Sequence, residues 1–113
     1  MTTNPPASER GLTINRLVSA NGTTTLVCHG RITTDTASIF KSEVKSVSPG
    51  QLYLLVELSD VDFVDSSGLG EVVAAYISAK AAGCELKLTK VHPRVSDLLN
   101  TTRLASVLRD TAS

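Results

Sequence analysis

An excess of charge of either sign is missing from this chain. Eleven Lys and Arg stand against 11 Asp and Glu, giving a formal net charge of zero and a pI near 6.7. Proteins that neutralise phosphates along a nucleic acid carry a basic excess, so no nucleic-acid partner is expected. No block of like charge points to an anionic membrane surface. No apolar run approaches the ~18 residues that a membrane-spanning helix needs. The opening M-T-T-N-P-P-A-S-E-R has no apolar stretch and so no secretory signal. Cysteine is scarce: Cys28 and Cys84 do not make a C-x-x-C and read as small buried hydrophobes, not as a disulfide or metal ligands. There is no internal repeat, no low-complexity segment and no phosphate-binding Walker loop. These absences describe a soluble, reduced, cytoplasmic domain with no cofactor.

What is present suffices for one folded unit. The chain has 113 residues, 42% of them hydrophobic, enough for a core without staples. Residues 1–10, with Pro5 and Pro6, read as a flexible tail, 11–110 as the domain, and 111–113 as a frayed end.

Leu12, Ile14 and Leu17-Val18 mark a first strand, and Asn21-Gly22 reads as a hairpin turn. The β-branched run T-T-T-L-V-C-H at 23–29 makes a second, antiparallel strand. A helix over 36–47 follows, with Ala37, Phe40, Val44 and Val47 as one apolar stripe, Asp35 or Thr34 as its cap and Pro49-Gly50 as its end. Leu52 to Leu58 is apolar at nearly every position, the pattern of a strand buried on both faces. A second helix spans 66–82, a strand 85–91, a short helix starts at Pro93, and Leu104, Val107 and Leu108 suggest a final one. Strand–helix–strand crossovers force parallel neighbours. The expected fold is α/β: a single mixed, mainly parallel, four- to five-stranded sheet with about four helices.

The handover V-D-F-V-D-S-S-G-L-G at 61–70 holds the candidate site. On a wheel of about 100° per residue, Leu69, Val72, Val73, Tyr76 and Ile77 cluster toward the sheet. Ser66 falls near the edge of that side and reads as structural. Ser67 falls opposite, in line with Glu71, Ala74 and Ser78, and should meet solvent. Gly68 and Gly70 are poor helix formers and leave the backbone open to a docking molecule, with Ala74 continuing the low surface. The first N–H groups of a helix lack intrahelical partners and favour negative charge, so a phosphate on Ser67 is tolerated there. D-S-S-G is equally a plain capping sequence with Asp65 as N-cap.

The order of elements, Gly30, Thr36 and Ala37 at the entry to the first helix, and F-V-D-S-S-G-L-G after the buried strand together resemble the STAS domain of bacterial anti-sigma factor antagonists, over residues 12–110. The resemblance implies a protein that binds an anti-sigma factor serine kinase while unphosphorylated. The kinase then modifies the second serine of D-S-S-G with ATP, and a phosphatase reverses the modification. Carried onto this chain, Ser67 is the phosphoacceptor. Asp65 and Ser66 shape its loop, Gly68 permits close docking, and Gly70, Glu71, Ala74, Thr34 and Asp35 complete the partner surface. One departure stands out: where the family often has G-E-L-D, this chain has Gly30-Arg31-Ile32-Thr33, so an acid becomes Arg31 and the aspartate becomes Thr33. That fits a differently charged partner, or a non-switching STAS subunit in a signalling scaffold or a lipid- or anion-transport complex.

Catalysis is not expected. Cys28 and His29 are strand neighbours and point to opposite faces, and His92 before Pro93 reads as a surface residue. Asp60, Asp62 and Asp65 read as a solvated loop, not a cation site.

Overall fold

Hydrogen-bonded backbone pairing, more than apolar content, sets the extent of the sheet. The computed structural model describes residues 7–9 and 11–102. Within them lie, in chain order, β1 (Ala7–Glu9), β2 (Leu12–Val18), β3 (Thr24–Ile32), α1 (Ala37–Val47), β4 (Tyr53–Val64), α2 (Ser66–Ala81), β5 (Glu85–Thr89) and α3 (Pro93–Thr102). The five strands form one mixed sheet in the order β1-β2-β3-β4-β5. The α/β expectation therefore holds, although two antiparallel and two parallel pairings make the sheet evenly mixed, not mainly parallel.

The register also corrects the reading of a tail at one point. Ala7, Ser8 and Glu9 pair with Ile14, Thr13 and Leu12, a contact made through main-chain groups that need no apolar side chains. The expected helix at 104–108 and the ends at 1–6 and 111–113 lie outside the described residues.

One face of the sheet carries the core. Leu12 and Ile14 of β2, Leu26 and Cys28 of β3, Leu54, Val56 and Leu58 of β4, and Leu86 and Leu88 of β5 are all buried, at a spacing of two. Consecutive right-handed crossovers that advance the same way across a sheet leave both helices on one face. Accordingly α1 and α2 pack against each other and seal this face with Phe40, Val44, Val72, Ala75 and Ala79. The stripe foreseen on α1 matches its buried set of Ala37, Phe40, Val44 and Val47.

β4 differs from its expectation. Its other face is only half-buried at Leu55 and Glu57, and Tyr53 is 54% exposed, so the strand is not sealed on both sides. It also runs on to Val64, so that Asp60 and Asp62 are strand residues and not part of a loop. Pairing of β3 with β4 continues as far as Ile32 opposite Val64, across two register shifts. That extension delivers Asp65 and the start of α2 to the end of β3.

α3 packs on β4 through its buried Val95 and Leu99. His92, read from sequence as a surface residue, is half-buried. Its Nδ1 accepts from the Arg94 N–H at 3.1 Å, an imidazole serving where a hydroxyl or carboxylate usually caps.

Candidate functional site

Two loops meet at one end of the sheet, and a single carboxylate joins them. Asp65 has extended backbone angles (φ −86°, ψ 177°) and stands at the N-cap of α2. Its Oδ1 accepts from the Gly68 N–H at 2.6 Å, satisfying one of the helix's free donors. Its Oδ2 accepts from the Thr34 N–H at 3.2 Å, in the loop between β3 and α1. The Asp65 N–H in turn donates to the Ile32 carbonyl at 3.2 Å. The aspartate that sequence names as cap thus also fixes the neighbouring loop.

That loop is tied internally. Thr36 stands at the N-cap of α1, in place of the expected Asp35 or Thr34, and makes no side-chain bond to its own helix. Its buried hydroxyl accepts from the Thr33 N–H at 2.9 Å and donates to the Arg31 carbonyl at 2.8 Å. Thr34 and Asp35 are left exposed beside the start of α2.

Ser67 lies in the first turn of α2 and is exposed, as its wheel position foretells. Ser66 is exposed as well, which corrects its assignment to the edge of the core. The wheel was misaligned because α2 is apolar on two sides. The buried stripe is Gly68, Val72, Ala75 and Ala79, Leu69, Val73 and Tyr76 pack partly against the core, and Ile77 is 60% exposed.

The glycines of the motif separate in the same way. A Cβ on Gly68 would lie inside contact distance of the Ile32 carbonyl oxygen, 2.7 Å from its carbon and 3.2 Å from Asp65 Oδ1. Gly68 is therefore required by internal packing, which corrects its reading as an opening for a docking molecule. A Cβ on Gly70 would meet nothing within 4 Å. Gly70 is exposed and Ala74 half-buried, so the low stripe beside Ser67 runs through Gly70 and Ala74 to the exposed Ile77.

Charge around the site is mostly acidic, with one acid paired. Asp62 and Asp35 are exposed, and Glu71 meets Lys41 of α1 at 3.7 Å. Glu71 Oε1 is out of solvent and has no hydrogen-bond partner among the described residues, although the side chain as a whole is 40% exposed. Beyond this end of the sheet, Cys28 faces the core, where burial pushes its thiol up to about 12, with Glu43 and Glu57 adding to the shift. Burial raises the Cys84 thiol too. His29 points to the other face and bonds Asp60 at 2.7 Å through Nδ1. The expected separation of Cys28 from His29 is observed. Sequence reasoning missed Lys41, whose meeting with Glu71 depends on how two helices lie together.

A mixed sheet with two crossover helices on one face, and a capped D-S-S-G turn at the carboxyl end of an interior strand, define a small α/β domain. The STAS domain family model matches residues 16–112, and the chain belongs to that family. Its fold is similar to that of the anti-sigma factor antagonist SpoIIAA in its unphosphorylated form, with a TM-score of 0.70 at 15% identity over 87% of each chain. An anti-sigma factor antagonist from Mycobacterium paratuberculosis matches with a TM-score of 0.69 at 23% identity, over 90% of this chain and 86% of that one. A sulfate transporter family protein from Wolinella succinogenes also matches at 0.69, with 17% identity over 81% of this chain and 75% of the other. No helix among the described residues is long and apolar enough to cross a membrane.

Proposed function

We propose that this chain is an anti-sigma factor antagonist that works in the cytoplasm. On this reading it binds an anti-sigma factor serine kinase while Ser67 is free, and so releases a sigma factor for transcription. Phosphorylation of Ser67 ends the interaction, and a serine phosphatase restores it. The observation that carries the reading is the exposed Ser67 hydroxyl in the first turn of a helix whose cap is supplied by another residue, Asp65. Because the cap does not use Ser67, modification leaves the turn intact.

In the modification, Ser67 Oγ attacks the γ-phosphorus of ATP. A new O–P bond forms, the bond to the β-phosphate oxygen breaks, ADP leaves, and the hydroxyl proton passes to a base of the kinase. The chain is the substrate of this reaction and its own residues supply no catalysis. The helix N-terminus favours the added ~1.5 to 2 negative charges, so the fold persists. The docking surface does not keep its character. Asp62 and Asp35 are exposed at this end of the sheet and Glu71 lies one turn along α2, and a phosphate adds to that acidity beside the low stripe at Gly70 and Ala74.

A second reading rests on the Gly30-Arg31-Ile32-Thr33 segment, which lacks the acids of the antagonist pattern. It makes the chain a non-switching STAS subunit in a signalling scaffold or a lipid- or anion-transport complex. One experiment separates the two. The protein is incubated with ATP and the serine-kinase anti-sigma factors of its own genome, then analysed by intact mass and peptide fragmentation. One added phosphate at Ser67, abolished by Ser67→Ala, is the expected result. Ser67→Ala should bind the kinase and resist release, while Ser67→Asp should lose most binding with its melting temperature nearly unchanged. Normal kinase binding by Ser67→Asp would overturn the switch and favour the second reading.

A further inference from the structure

The groove between α1 and α2 holds a cation one turn below Ser67. Glu71 follows Ser67 by four residues, so the two side chains stack on one flank of α2. The same flank faces α1, because Lys41 Nζ reaches Glu71 Oε1 at 3.7 Å. The two helices start at the same end of the sheet, where the Thr34 N–H meets Asp65 Oδ2. Helical side chains lean toward the N-terminus of their helix, which carries both the Lys41 ammonium and the Glu71 carboxylate toward the level of Ser67.

The existing pair is incomplete. At 3.7 Å it is too long for a hydrogen bond, and Glu71 Oε1 has no hydrogen-bond partner among the described residues although it is out of solvent. Both side chains are also roughly half exposed, at 44% for Lys41 and 40% for Glu71, which weakens their attraction. A phosphoserine at 67 brings up to two negative charges and three acceptor oxygens, against the single charge of Glu71. Lysine carries its charge on a flexible four-carbon stem and reorients readily.

We propose that Lys41 is the counter-ion of phosphorylated Ser67. The phosphate repels Glu71 across one helical turn and draws the Lys41 ammonium to itself, so phosphorylation rearranges the groove between α1 and α2 as well as charging its rim. The inference deepens the assignment of Ser67 as phosphoacceptor and rests on it. Asp35, Asp62 and Asp65 at this end are acidic and cannot serve as counter-ion, and the other cation here, Arg31, has its guanidinium laid against Gly11 before β2.

The test installs phosphoserine at position 67 during translation and follows its second ionisation by phosphorus NMR, in the parent protein and in Lys41→Met, Lys41→Gln and Glu71→Gln. Loss of the cation should raise the phosphate midpoint by about half a unit, and loss of the neighbouring carboxylate should lower it by a similar amount. Circular dichroism checks that each variant is folded, and the half-exposed position of Lys41 accommodates either replacement. Unchanged midpoints in both Lys41 variants would overturn the proposal. Because the phosphate is introduced during translation, this result does not depend on any kinase. Failure of kinase labelling at Ser67 would instead remove the switching function and leave the titration standing.

Discussion

Gly68 and Gly70 are two residues apart on one helix, yet they answer to different constraints. Gly68 faces the Ile32 carbonyl and leaves no room for a Cβ, whereas a Cβ on Gly70 would project into open space. The contrast extends along α2. On the inner side, Val72, Ala75 and Ala79 close over the sheet. On the outer side, Ser67, Gly70 and Ile77 are exposed. Gly68 on the inner stripe is small because the backbone of β3 lies against it. A small residue on the outer stripe contributes nothing to this fold's packing, and glycine within a helix weakens it. On the proposed function, its presence answers to a partner that docks outside the chain.

Substitutions can break that contrast, and Gly68→Ala should do most. Forcing a methyl group onto the Ile32 backbone should cost about 2–4 kcal/mol, read as a lower urea midpoint with an unchanged slope. A loss under about 0.5 kcal/mol would show that α2 can move away from β3, and the inner constraint would vanish. Next comes Asp65→Ala, which removes the cap and the tie to Thr34 together. It should lower stability by about 1–2 kcal/mol and speed amide exchange at both Gly68 and Thr34. Faster exchange at Gly68 alone would mean that the two loops are not coupled. Gly70→Ala has the smallest effect on folding and the opposite sign. It should stabilise by up to about 1 kcal/mol while weakening capture of the kinase in a pull-down. If binding is unchanged, the outer stripe is not a docking surface.

The same two-sidedness explains where sequence reasoning erred. α1 has one apolar stripe, and its buried residues were legible from spacing alone. α2 has apolar residues on two sides, so its periodicity yields no unique orientation, and Ile77 falls inward on the wheel although it is 60% exposed. The run from Leu52 to Leu58 misled for a similar reason, since apolar side chains on both faces of β4 do not supply helices to cover both. Asp60 and Asp62 resembled loop residues because charge is uncommon in strands. The backbone of β3 pairs with Asp60 at His29 regardless of side chain, and pairing resumes at Arg31 opposite Phe63, with Asp62 at the register shift between them.

Long-range contacts were the other loss. Arg16 of β2 meets Glu43 of α1 at 2.5 Å, and Lys41 meets Glu71. Neither pair has a local signature, because partners about 30 residues apart are chosen by how elements pack.

By itself the sequence determined most of the elements, the α/β class, the stripe of α1, the cap at Asp65 and the exposure of Ser67. These depend on interactions within a few residues, whose geometry the backbone period fixes. Only the tertiary structure decided which side of α2 is inner, why Gly68 has no side chain, and which cation meets Glu71. Each of those is a distance between elements remote in the chain, and such distances exist only once the helices have settled on the sheet.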